Sequence, residues 1–269
     1  MAFRTPLTAD ERLERVRQNL LSFHGQKLVP FQGFRGNISV CGFGPSLTDT
    51  YHNLTRRVMT TSGAHDFLLA RGIVPTYHVE TDPRERKAKF VERSHPDVTY
   101  LINSQCHPRM FEVLKERKVV MWHGFTDDDD ERQIKLVDSL EPGARLMAGG
   151  TNVGMRAVVV ARELGFTSFD LHGFDCCYYG KYQWAGEHYT PPHRTVMIEV
   201  EDTVFETSDL MLQGTDDFFN LMRMTPGCRF RVHGDGLLDA RLRLFNRDWK
   251  KAVSTEWFKP LNFSIGKAA

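Results

Sequence analysis

The sequence predicts an α/β fold built on one mostly parallel sheet, and three observations carry that expectation. Short runs rich in β-branched and aromatic residues recur along the chain, at 37–41, 58–61, 76–80, 98–102, 119–122, 168–172 and 229–232. Segments with helical spacing lie between most of them, and strands alternating with helices form parallel sheets covered on both faces. Most of these runs also break into polar or glycine-bearing residues, which in a parallel sheet gather beyond the carboxyl ends of the strands, where ligands bind. The expected architecture is Rossmann-like, with helices on both faces, an N-terminal helix and a C-terminal helical extension. Residues 1–35 are assigned to an N-terminal helical extension, 36–236 to a nucleotide-binding and catalytic domain, and 237–269 to a C-terminal helix and tail.

Bulk properties narrow the class. The 269 residues suit one large α/β domain or two small ones, and 41% hydrophobic with 26% charged residues is ordinary for a chain with a proper core. A formal charge of +1 gives no general pull toward nucleic acid or acidic membranes. No apolar run approaches the roughly 18 residues of a bilayer span, and the start, M-A-F-R-T-P-L-T-A-D-E-R, lacks a signal-peptide core. The five cysteines form no C-x-x-C pair, and Cys41, Cys106 and Cys228 lie in apolar strand-like runs. A reduced, cytoplasmic protein with buried thiols and no zinc site is expected.

In chain order, Leu13, Val16, Leu20 and Phe23 predict a packing helix over 8–23. The opening strand at 37–41 is followed by C-G-F-G-P-S-L. Gly42 and Gly44 permit a tight turn and close backbone approach to a ligand, Pro45 suits a first helical turn, and Ser46 or Thr48 suits its cap. This turn reads either as a phosphate or nucleotide cradle at a helix N-terminus, or as a plain glycine-rich connection. A second strand at 58–61 enters Ser62-Gly63-Ala64 and a helix at 65–71, stopped by Gly72 and Pro75. The third strand runs through 76–80 into Thr81-Asp82-Pro83, and the fourth, 98–102, into Asn103-Ser104-Gln105. A helix from 108 to 117 and a strand at 119–122 follow.

Asp127 to Asp130 read as a metal site or, more simply, as the solvated start of a weak helix reaching Leu140. Gly149-Gly150-Thr151-Asn152 opens a strong helix over 153–164, a second place for phosphate. Gly165 ends it, and the strand at 168–172 breaks into Gly173-Phe174-Asp175. Residues 176–192, C-C-Y-Y-G-K-Y-Q-W-A-G-E-H-Y-T-P-P, form an irregular aromatic stretch of a length that is usually functional or mobile. An outlying strand at 196–200, a helix at 209–224, the strand at 229–232 and an amphipathic helix to about 251 complete the chain.

The chemistry-bearing candidates sit at these strand ends. Asp82 and Asp175 suit Mg²⁺ with phosphate oxygens, or a ribose or substrate hydroxyl; each equally suits capping of the next turn. His188 has the ordinary titration range for general acid–base work. Tyr178, Tyr179, Tyr182 and Trp184 suit stacking on a base or sugar, or anchoring of the loop to the core.

Three segments, C-G-F-G-P-S-L, V-E-T-D-P and G-G-T-N-V-G-M-R-A-V-V-V-A-R-E-L-G-F-T-S-F-D-L-H-G-F-D, together resemble the archaeal 6-hydroxymethylpterin diphosphokinases and, more distantly, the motility-accessory flagellin glycosyltransferases. Bacterial CMP-sialic-acid transferases show a similar opening and late block. The resemblance spans roughly 37–235. It implies a nucleotide contact at Gly42, Gly44, Pro45 and Ser46, an active-edge position for Asp82, and phosphate or nucleotide contacts at Gly150, Thr151 and Asn152; Ser62 and Asn103 join the candidate nucleotide site by following strands. Gly173 and Asp175 would face ribose, metal or acceptor, with Tyr178 and Tyr182 supporting a leaving phosphate and His188 as base. Where flagellin glycosyltransferases continue with Leu-Ala-Tyr and Lys-Thr-His, this chain has Cys176-Cys177-Tyr178 and Lys181-Tyr182-Gln183-Trp184.

Two enzyme readings follow: a glycosyltransferase using a nucleotide-activated sugar of CMP type, and a Mg-ATP diphosphokinase acting on a 6-hydroxymethylpterin-like alcohol. A third is a non-catalytic nucleotide-binding protein. The expected partners are a small-molecule nucleotide substrate or nucleotide-sugar donor and an acceptor, with Mg²⁺ in the diphosphokinase case and oligomer formation left open.

Overall fold

The computed structural model describes residues 7–31, 33–125, 130–180, 185 and 195–254, and the side chains of all of these but 130 and 249–254. Its centre is a nine-stranded, wholly parallel sheet. The strands are β1 (Gln26–Lys27), β2 (Gly36–Cys41), β3 (Val58–Thr61), β4 (Tyr77–Glu80), β5 (Thr99–Asn103), β6 (Lys118–Gly124), β7 (Leu146–Met147), β8 (Phe166–His172) and, after an intervening hairpin, β11 (Arg229–His233). Their order is β1-β6-β5-β4-β3-β2-β8-β11, with β7 paired to the end of β6. The antiparallel hairpin β9 (Thr195–Val200) and β10 (Thr203–Ser208) stands apart from this sheet.

Alternate residues of each strand enter different clusters, so the sheet is packed on both faces. Ile38 and Val40 of β2, Val79 of β4 and Leu101 of β5 share one core with α6 (Val153–Glu163), α7 (Asp209–Met224) and α8 (Leu237–Ser254). On the opposite face Cys41 and Val58 pack with α3 (Ala64–Leu69). There Tyr100 and Ile102 pack with α4 (Pro108–Val113), and Met121 with α1 (Ala9–Ser22) and α5 (Asp130–Leu140). The central helix α6 buries Ala157, Val158, Val160 and Ala161 completely, which its run of small apolar residues makes possible beneath five strands. The side chain of Asn152 caps it by accepting from the Met155 amide at 3.0 Å.

Several elements differ from the expectation. The helix after the first glycine turn, α2 (Leu47–Thr50), is four residues long and runs into a 3₁₀ turn over Tyr51–Asn53. Neither Ser46 nor Thr48 caps its amides; the Thr48 hydroxyl turns back to the Pro45 carbonyl. β10 extends a region expected to hold a single outlying strand, and a 3₁₀ helix at Glu85–Val91 follows β4. Cys106 is buried in the turn after β5 and Cys228 precedes β11, so neither lies within a strand.

The N-terminal helix does more than pack. Its Asn19 amide donates to the carbonyls of Ser104 and Cys106, both at 2.8 Å, and Arg15 donates to the Pro83 carbonyl at 3.2 Å. α1 thereby grips the loops at the carboxyl ends of β4 and β5. Gly72 and Gly165, at φ of +72° and +90°, end α3 and α6 in the left-handed conformation expected of helix-terminating glycines. Among the described residues no helix is long and apolar enough to cross a membrane.

Candidate functional site

Strand order reverses at β2: β3 to β6 extend on one side, β8 and β11 on the other. In open parallel sheets, ligands bind beyond the carboxyl ends of the two strands that flank such a reversal. Here those ends are the 42–46 turn and Gly173-Phe174-Asp175, and they are packed directly together. The Gly42 amide donates to the His172 carbonyl (2.8 Å) and the Gly44 amide to the Gly173 carbonyl (2.9 Å). A Cβ on Gly42 would lie 2.6 Å from that same carbonyl oxygen, and one on Gly44 would lie 2.2 Å from Asp175 Oδ2. Both glycines are therefore required by the close approach of the loop at 173–175.

Amides at the start of the following helix also have partners within the chain. The amides of Leu47 and Thr48 donate to Gly44 and Pro45, and that of Ser46 donates to Asp175 Oδ2 at 3.1 Å. With a four-residue helix behind it, the turn has little macrodipole to offer an anion.

Asp175 is only 4% exposed. Burial pushes its carboxyl above the usual carboxylate range, partly opposed by hydrogen bonds from Ser46 and Tyr179. The turn after β11 closes over it: a Cβ on Gly236 would lie 2.6 Å from Asp175 Cα, and the Leu238 amide donates to the Asp175 carbonyl at 3.3 Å. Tyr179 is the tyrosine beside this carboxylate. Its hydroxyl is pushed well above its ordinary value by burial and by the Asp175 charge, so it stays protonated and able to donate. Tyr178 instead donates its backbone amide to Glu206 of β10 at 2.8 Å. Tyr182 and His188 lie outside the described residues. Ala185, which lies between them in sequence, docks its amide on the Phe43 carbonyl at 2.9 Å.

The start of α6 reaches the same place. Phe174 fills the space where a Cβ on Gly154 would lie, 2.6 Å from its ring, and borders Gly42 on its other side. At the preceding turn, where Gly150 has φ of +52°, the amide and hydroxyl of Thr151 donate to Asp217 Oδ2 at 2.7 and 2.6 Å, and Gln213 donates to Oδ1 at 3.2 Å. A carboxylate from α7 thus holds the position assigned to a phosphate.

Further along the edge, Ser62 adopts φ of +48° after β3, and its amide donates to Glu80 Oε1 at 2.9 Å. Asp82 is gripped by Arg84, whose Nε lies 2.8 and 3.0 Å from the two carboxylate oxygens, with Lys87 at 3.8 Å. Burial raises this carboxyl, but the Arg84 hydrogen bonds and the Lys87 charge outweigh it and leave the net shift downward. Asn103 donates to the Thr81 hydroxyl at 2.7 Å and accepts from the amides of Gln105 and Gly124.

Asp82 and Asp175 stand apart along the edge. They follow β4 and β8, three strand spacings apart, or about 14 Å at the usual 4.7–4.9 Å per spacing. Each is already committed, to Arg84 and to Ser46.

Gly42, Gly44, Ser46, Gly173, Asp175 and Asn152 are thus brought together, with Ser62 adjoining through Gly63 and Phe43. Asp82 and Asn103 lie further along the edge, and Thr151 faces α7. Sequence reading passed over Asp217 and Arg156. The latter is a 3%-exposed arginine whose Nη2 donates to the Phe125 carbonyl at 3.1 Å. Its signal was a lone cation in the apolar helix V-G-M-R-A-V-V-V-A.

Among solved structures, MAf glycosyltransferase from Magnetospirillum magneticum AMB-1 shares the fold, with a TM-score of 0.64 at 15% identity over 93% of this chain. The chain spans 43% of that protein's length. No curated relative matches the chain. The model of the 6-hydroxymethylpterin diphosphokinase MptE-like family matches residues 12–181, which include most of α1 and the turns after β2, β4 and β8. This chain belongs to the MptE-like family.

Proposed function

We propose that the chain is a nucleotide-dependent transferase whose donor lies at the strand-order reversal between β2 and β8. The observation that carries this reading is the meeting there of three chain segments, 42–46, 173–175 and 152–154, in an MptE-like chain. The preferred reaction is glycosyl transfer from a nucleotide-activated sugar of CMP type. The structural neighbour is described as a glycosyltransferase. The tyrosine hydroxyl beside Asp175 also suits support of a leaving phosphate. In that reaction the sugar–phosphate bond breaks, an acceptor hydroxyl oxygen takes the sugar, and the hydroxyl proton passes to a base. His188 is proposed as that base and Tyr179 as a donor to the departing nucleotide, with Tyr182 assisting.

The family description favours a second reading, diphosphoryl transfer to a pterin-like alcohol. The commitments of Asp82 and Asp175 weigh against a Mg²⁺ shared by these two residues and leave metal binding elsewhere to experiment. A thermal-shift panel of CMP, CDP, UDP, GDP and ATP, each with and without Mg²⁺, separates the readings. Stabilisation by CMP independent of Mg²⁺ supports glycosyl transfer; stabilisation by ATP only with Mg²⁺ supports the diphosphokinase. Stabilisation by none overturns both.

A further inference from the structure

Glu80 is fully buried at the end of β4, and no ligand or catalytic role is assigned to it above. Its Oε1 accepts the Ser62 amide at 2.9 Å, while Oε2 has no hydrogen-bond partner among the described residues. Ser62 carries φ of +48°, a conformation that an L-residue keeps only when its surroundings impose it. The next residue, Gly63, lies against the face of Phe43: a Cβ there would meet the ring at 2.3 Å. Phe43 sits between Gly42 and Gly44, and its carbonyl receives Ala185. One carboxylate thus holds a strained amide, the strained turn seats an aromatic ring, and that ring belongs to the first glycine turn.

We propose that Glu80 is a positioning residue of the nucleotide site, fixing the 61–63 turn so that Phe43 and the 42–46 turn are held in place. This rests on the reading of the strand-end edge as a nucleotide site. Burial raises the Glu80 carboxyl to about 7, against the attraction of Lys87 and with the repulsion of Asp82; His65 also faces it. His78 Nε2 lies 3.5 Å from Oε1, and its Nδ1 lies 3.0 Å from the Thr60 hydroxyl. His65 bridges Asp66 and the Tyr100 hydroxyl. Side chains thus enclose the carboxylate on its inner side and leave the Ser62 amide as its hydrogen-bond donor among the described residues.

The test measures affinity for whichever nucleotide of the panel binds, at one fixed pH, in the full chain and in E80Q, S62G and E80Q/S62G. E80Q is expected to bind roughly fivefold more weakly than the full chain. The double variant should recover most of the affinity, because glycine adopts φ of +48° without help. Equal affinities for the full chain and E80Q, or a double variant no tighter than E80Q, would overturn the proposal. Absence of binding by the full chain would instead overturn the nucleotide-site reading on which it rests.

Discussion

The two glycine turns, at 42–46 and at 149–152, read alike in sequence and are built differently. Each has an amide held by an internal carboxylate: Ser46 by Asp175 and Thr151 by Asp217. The first turn is nevertheless fixed mainly by backbone contact, because Gly42 and Gly44 bond to β8 and its following loop with no room for a side chain. The second is fixed mainly by side chains, with the amide and hydroxyl of Thr151 and the amide of Gln213 converging on Asp217. At Gly42 and Gly44 an added side chain meets another main chain, whereas at Gly149 it meets chiefly the side chain of Val159.

The sharpest way to break this contrast is a pair of glycine substitutions. Gly44→Ala forces a Cβ to 2.2 Å from Asp175 Oδ2 and 2.6 Å from the Gly173 carbonyl, and is expected to cost roughly 3 kcal/mol in denaturant unfolding. Gly149→Ala meets chiefly the Val159 side chain, at 2.6 Å, and should cost less, about 2 kcal/mol, since a β-branched neighbour yields only in part. Equal losses would show that both turns are backbone-limited.

The carboxylates should behave in the opposite sense. Asp217→Asn removes a charged acceptor from Thr151 and is expected to cost about 2 kcal/mol. Asp175→Asn should change stability little at acid pH and leave the variant the more stable at neutral pH. Its carboxyl is raised in the folded state, so its contribution to stability is fully present below the unfolded value near 3.8 and is lost as pH rises through the folded value. The neutral amide removes that loss, and the wild-type decline in stability across this window should flatten in the variant. Asn152→Ala deletes the α6 cap alone and should cost about 1 kcal/mol. This is the smallest of the measurable losses and the baseline against which Asp217→Asn is judged.

Much of the sheet was legible because buried parallel strands are short apolar runs separated by helices. The same runs located the strand-end residues. β1 and β7 were not legible, since two residues carry no periodicity. β10 was missed because Thr203–Ser208 sets Val204 beside Phe205 and ends in three polar residues, so no alternation marks it as a strand. The purpose of Gly42 and Gly44 was beyond reach of local pattern. A G-x-G spacing says that something comes close, but here the partner is a loop about 130 residues later. Asp217 was hidden for the same reason, 66 residues from the Thr151 it holds. Asp82 and Asp175 looked equivalent as acids, whereas strand order places them on either side of the reversal.

The central claim is that the reversal between β2 and β8 is a nucleotide site, and amide hydrogen exchange with and without each nucleotide of the panel tests it most directly. Binding at the reversal predicts that one nucleotide slows exchange together at 42–46, 152–154 and 173–175. Protection confined to other segments, such as the faces of α7 and α8, or no protection by any nucleotide at concentrations that saturate related sites, would contradict it.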